Sequence, residues 1–222
     1  MIALRRKLAD GRLLEGEALE VYVPRRRGAR HYADAFSQAL YLAKVCPDEG
    51  QQLAWDQAQA LAAIIPAGVD VVTCPPASRK RMAAGFYFAR ELTVAVCEAL
   101  TGDGAGGRDV HLARPLRWQQ EAILGAGAAK QIMHQGGQGR KLGRVVECLE
   151  DLTGREVVIV DDLFTTGATA AVTAEALIRA GASKVCVVAV GMTERTEHRP
   201  AEERELVKLR GEARAAKRHL TG

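Results

Sequence analysis

One stretch constrains this chain more than any other: Val157-Val158-Ile159-Val160-Asp161-Asp162-Leu163-Phe164-Thr165-Thr166-Gly167-Ala168-Thr169-Ala170. A run of β-branched aliphatic residues reads as a buried central strand rather than a half-exposed one. Two adjacent carboxylates stand at its C-terminal end, and a hydroxyl-rich turn with one glycine leads into an alanine-rich helix over residues 170–180. Ligands of open α/β sheets bind in the crevice outside the carboxyl ends of the strands. A helix N-terminus with open backbone N–H groups and threonine hydroxyls suits a phosphate. Gly167 lets the backbone come close to the anion. Paired acids beside such a cradle suit either a Mg2+ ion held partly through water or the hydroxyls of a sugar. A loop that merely caps its helix needs one acid and one hydroxyl, not this ordered set. The stretch therefore describes a pocket for a phosphorylated sugar.

The rest of the chain is consistent with one α/β domain and an appendage. It has 222 residues, 48% hydrophobic and 26% charged, enough for a full core. Its formal net charge of +4 suits a polyanionic ligand and does not by itself argue for nucleic acid. No apolar run reaches the roughly 18 residues that a membrane span needs, and residues 1–10 lack the apolar core of a secretory signal. Cys46, Cys74, Cys97, Cys148 and Cys186 are dispersed in apolar settings without a C-x-x-C pair. Reduced thiols in a cytoplasmic protein are expected, and a zinc site is not.

Residues 157–169 resemble the phosphoribosyl-diphosphate (PRPP) binding motif of type I phosphoribosyltransferases: hydrophobic strand, acid pair, two hydrophobic residues, then Thr-Thr-Gly-x-Thr. Phe164 occupies a position that is normally aliphatic. The resemblance implies a doubly wound, mostly parallel sheet flanked by helices, with a small N-terminal hood. It implies that Asp161 and Asp162 hold the ribose 2′- and 3′-hydroxyls and, through water, Mg2+. Leu163 and Phe164 would continue the PRPP-binding stretch, and Thr165, Thr166, Gly167, Ala168 and Thr169 would wrap the 5′-phosphate. The implied reaction transfers a 5-phosphoribosyl group from PRPP to a nucleobase or related nitrogen acceptor and releases pyrophosphate. A homodimer is usual for the resemblance.

A second candidate anion site follows the strand predicted over residues 69–73. There Cys74-Pro75-Pro76-Ala77-Ser78-Arg79-Lys80-Arg81 runs on to Gly85-Phe86 and a long helix over 89–100. A solvated basic turn would explain the cations alone. The loop also looks like the pyrophosphate loop of the same family, which implies that Pro76, Ala77, Ser78, Arg79 and Lys80 hold the diphosphate through backbone N–H groups and charge. More narrowly, the pattern is similar to the competence-protein F (ComF-like) branch. Ala84 and Tyr87 depart from it, standing where an arginine and an asparagine are expected, and the N-terminal cysteine cluster of that branch is missing.

The chain divides into residues 1–65 (hood and outer helices), 66–192 (core) and 193–222 (a charged tail). Residues 1–30 read as a basic amphipathic start, a strand over 18–23 and a turn carrying Arg25, Arg26 and Arg27. Helices are predicted over 32–45 and 49–65, a short strand over 109–113, another over 144–148, and a buried strand over 184–190 after a helix stop at Gly181. Residues 114–141 are glycine-punctuated and long enough for a functional loop. The resemblance implies a lid here that closes over PRPP and excludes water. Lys130, Arg140 and Lys141 are its candidate contacts to the leaving pyrophosphate, with Lys130 and Arg140 placed in the catalytic set beside Asp161 and Asp162. Arg117, Trp118, Gln119 and Gln120 suit either a base pocket or surface packing.

Such a reaction needs positioning and charge rather than a covalent nucleophile. Cys74 has no histidine partner nearby in sequence, and His31, His111, His134 and His198 show no ligand spacing. A phosphoribosyltransferase is therefore the first reading. The alternatives are a catalytically silent PRPP- or nucleotide-binding regulator, a ComF-like DNA-uptake accessory protein, and a nucleic-acid protein using the cations at 25–27, 79–81 and 140–144. The last is the least favoured.

Overall fold

A computed structural model describes residues 1–23, 34–77, 83, 85–102, 108–113, 116–118 and 146–193. Its larger sheet contains β1 (Ile2–Lys7), β2 (Leu13–Tyr22), β3 (Val71–Thr73), β4 (His111–Leu112), β7 (Glu156–Phe164) and β8 (Lys184–Thr193). Their order is β1-β2-β8-β7-β3-β4, and every pairing except β1–β2 is parallel. Two short strands, β5 (Arg117–Trp118) and β6 (Val146–Glu147), pair antiparallel in a sheet of their own. The helices among the described residues are α1 (Ala35–Ala43), α2 (Pro47–Ile64), α3 (Phe88–Thr101) and α4 (Ala168–Arg179).

The β-branched run is central because both of its faces are covered. Val157 and Ile159 pack with Ala170, Ala171, Ala174 and Leu177 of α4, whose small side chains let the helix lie close to the sheet. Val158 and Val160 pack on the other face with Leu40 of α1, Leu61 of α2, and Leu92 and Val96 of α3. Each of the buried Val, Ile and Leu side chains contributes roughly 1.5–3 kcal/mol by leaving water. Helices on both faces of a mostly parallel sheet make this the mixed, doubly wound α/β arrangement that the alternation of elements predicts. Among the described residues, no helix is long and apolar enough to cross a membrane.

The N-terminus departs from expectation. Residues 1–65 supply the outer helices α1 and α2, but the basic start is no appendage: β1 and β2 form an antiparallel hairpin, and β2 runs parallel to β8 from Glu15 to Tyr22. Leu4, Leu14 and Ala18 point into the α4-side core, while the exposed Arg5 and Lys7 guard the free edge of the sheet. Those edge charges hide the strand in the sequence. Gly181 ends α4 as predicted, at φ +99° just beyond the C-cap Ala180.

Candidate functional site

The site lies where the winding of the chain reverses. β3 and β7 are parallel neighbours, with Thr73 opposite Ile159. From β3 the chain continues to α3 on one face; from β7 it continues to α4 on the other. The winding thus reverses between these two strands, and the carboxyl ends at such a reversal are the place where open sheets take ligands. Both predicted anion loops begin there, side by side.

The loop after β3 is pinned twice. Pro75 and Pro76 are buried, and the Tyr87 hydroxyl donates a 3.0 Å hydrogen bond to the Pro75 carbonyl. Tyr87, a departure from the ComF-like pattern, is thus a latch on this loop. The far end is held by Phe86, whose ring lies against Gly50 of α2, where a Cβ would come within 2.9 Å of Cε1. Ala77 is half-buried at the last described position of the loop. Ser78, Arg79 and Lys80 lie outside the described residues, as do Lys130 and Arg140 of the predicted lid.

The acid pair belongs to β7 itself, which continues through it to Phe164. Strict alternation would put Leu163 on the face of Val157 and Ile159. Instead Leu163 packs with Val158 and Val160, and Phe164 joins Val157 and Ile159. The alternation therefore slips once, across the two carboxylates. Its neighbour β8 slips with it, since Ala189 and Met192 share one face, and the Phe164–Met192 register is kept.

Asp162 is 5% exposed and forms an ion pair with Lys44, Nζ to Oδ2 3.0 Å. Lys44 is the residue that motif reasoning missed. It follows α1 directly, and Ser37, Leu40 and Lys44 are spaced at i, i+3 and i+7, so the lysine lies in register with the helix's buried stripe. A cation at the end of that stripe was the available signal. The start of α1 is fixed by Asp34, which accepts from the Ser37 N–H at 2.7 Å and from its hydroxyl at 2.9 Å. Asp161 is half-buried, and its Oδ1 accepts the backbone N–H of Asp162 at 2.8 Å. Loss of solvent, and then the charge of Asp162, push the Asp161 carboxyl up to about 7, against the pull of Lys44.

Beyond the acids, Thr165 and Thr166 are half-buried, and Gly167 sits in the left-handed region at φ +70°, ψ 10° as the N-cap of α4. No side chain caps that helix start. Ala168 is buried, and the Thr169 carbonyl is engaged by the Thr173 hydroxyl at 2.8 Å. Phe164 is 1% exposed, so it supports the turn from within the core. On the β3 side, burial pushes the Cys74 thiol up to about 12, and the nearby Asp161 acts in the same direction. Cys74 is a thiol, not a nucleophilic thiolate.

The expected Mg2+ needs hard oxygen donors. Among the described residues no group of three or more His, Cys, Asp or Glu converges, and one oxygen of the acid pair is already committed to an ammonium group. These residues do not fit an ion held by the protein alone.

No family model and no curated protein matches the chain. Among solved structures it is similar to a hypoxanthine phosphoribosyltransferase from Staphylococcus aureus. In the orthorhombic form the identity is 12% and the TM-score 0.35, over 67% of this chain and 68% of that one. In the tetragonal form the identity is 13% and the TM-score 0.32, over 64% and 62%.

Proposed function

We propose that this chain is a phosphoribosyltransferase that uses PRPP and passes its 5-phosphoribosyl group to a nucleobase or related nitrogen acceptor. One observation carries the reading: the Asp161-Asp162 pair and the Thr165–Thr169 turn stand together at the carboxyl end of β7, where the winding reverses. Thr165, Thr166 and the first-turn N–H groups of α4 receive the 5′-phosphate. Asp161 and Asp162 orient the ribose hydroxyls. The diphosphate falls to the loop that begins beyond β3, the neighbouring strand, whose sequence carries cations at 79–81. Pyrophosphate leaves as the acceptor nitrogen attacks the anomeric carbon. The protein supplies position and charge, and no side chain forms a bond to the sugar.

The test is pyrophosphate release from PRPP with Mg2+ against a panel of purine and pyrimidine bases. Release with one base, lost in Asp161→Asn, is the expected result. A protein that binds PRPP and releases nothing with any base is a PRPP-binding regulator or accessory protein instead. One that does not bind PRPP overturns the assignment of the site.

A further inference from the structure

We propose that Lys44 is the resident counter-cation of the acid pair, setting it to hold the cis-hydroxyls of a phosphosugar without a divalent ion at the carboxylates. This deepens the reading of these strand ends as a phosphosugar site and rests on it.

The geometry is specific. Lys44 Nζ stands 3.0 Å from Asp162 Oδ2, and the two side chains are 19% and 7% exposed. A lysine at a helix end ordinarily extends its ammonium into water. Here it turns inward, and its backbone is held in the last turn of α1 by its N–H on the Tyr41 carbonyl at 3.1 Å. Two charges taken out of water cost several kcal/mol each unless they meet. The site has therefore been built with the cation inside it.

Two consequences follow from this chemistry. Each sugar hydroxyl is both a donor and an acceptor. When both acids are ionised the pair offers only acceptors, whereas an ammonium adds N–H donors. Lys44 thus supplies the half of the hydrogen-bonding set that the acids lack. At the same time it takes the Asp162 oxygen that an ion would use and offsets the negative charge of Asp162, which weakens attraction for a divalent cation. Any Mg2+ in the reaction then travels on the diphosphate.

Ribose 5-phosphate, titrated calorimetrically into the full chain, tests this. Wild type is expected to bind it equally in excess EDTA and in excess Mg2+, and to prefer it to 2-deoxyribose 5-phosphate. Lys44→Met is expected to lose about ten-fold or more in affinity and most of that preference. It is also expected to take up Mn2+, seen by electron paramagnetic resonance, where wild type does not. Lys44→Arg keeps the charge and should retain metal-independent binding. Wild-type binding that requires Mg2+, or a folded Lys44→Met that binds and discriminates like wild type, overturns the proposal while leaving the phosphosugar site standing. No ribose 5-phosphate binding by wild type under either condition overturns both. The wild-type comparison of EDTA with Mg2+ decides even if Lys44→Met fails to fold.

Discussion

The ring of Phe164 lies where a Cβ on Gly167 would stand, with Cε1 and Cε2 each 3.0 Å from that position. The last residue of β7 and the N-cap of α4 are thus a fitted pair, and they set the turn that carries the threonines. A bulky aromatic fits at this position only because its neighbour three residues on has no side chain. Gly167→Ala meets both the ring and a left-handed backbone, and should cost about 2–4 kcal/mol. Phe164→Leu removes the obstacle, so the double variant should recover part of the loss in urea denaturation. If it recovers nothing, the ring is not what excludes a side chain.

The Lys44–Asp162 pair makes a separate stability prediction. Removing either partner leaves an uncompensated charge in a buried place, which costs about 3–5 kcal/mol. Lys44→Met and Asp162→Asn should each destabilise by that order. The double variant should cost at least 1 kcal/mol or so less than their sum. Strict additivity in a denaturation cycle would show that the two groups are not coupled.

Asp161 gives a pH dependence. Its folded carboxyl is raised from 3.8 to about 7, chiefly by burial. Between those values the folded chain keeps a proton that the unfolded chain has released. The stability contributed by this group is therefore full below about pH 4, declines as pH rises to about 7, and is flat above. Asp161→Asn should flatten that decline, raising the melting temperature at about pH 8 more than at about pH 5, while abolishing ribose binding. An equal rise at both would place the titration elsewhere.

Much of this fold was legible because its signals are local. The run 157–160 announced a strand buried on both faces, and the alanines of α4 and Gly181 announced a helix and its stop. The ordered acids, threonines and glycine marked one strand–helix junction. What escaped depends on partners distant in sequence. β1 carries edge charges, the strand predicted over 18–23 catches only the second half of β2, and the place of this hairpin, with β2 beside β8, is decided by Leu4, Leu14 and Ala18 meeting α4. Lys44 acquires meaning only when α1 is laid across the end of β7, 118 residues away from Asp162 in sequence. The slip of alternation at the acids is likewise a property of two strands moving together, since β8 shows it as well.

Gly50 offers a prediction in which the sign itself decides. A glycine inside a helix normally costs about 1 kcal/mol relative to alanine, so Gly50→Ala should stabilise α2 on propensity alone. In this fold the new methyl meets the Phe86 ring and the Ala43 carbonyl, both of which crowd the place it would occupy. The substitution should therefore destabilise, and should push Phe86 off α2. Because Phe86 anchors the far end of the loop after β3, PRPP affinity should fall several-fold while ribose 5-phosphate affinity is kept. Adding Phe86→Ala removes the ring but leaves the Ala43 carbonyl in place, so Gly50→Ala should lower the melting temperature less in that background than in wild type. A stabilising Gly50→Ala in the wild-type background would mean that the ring yields freely, and that α2 does not anchor this loop.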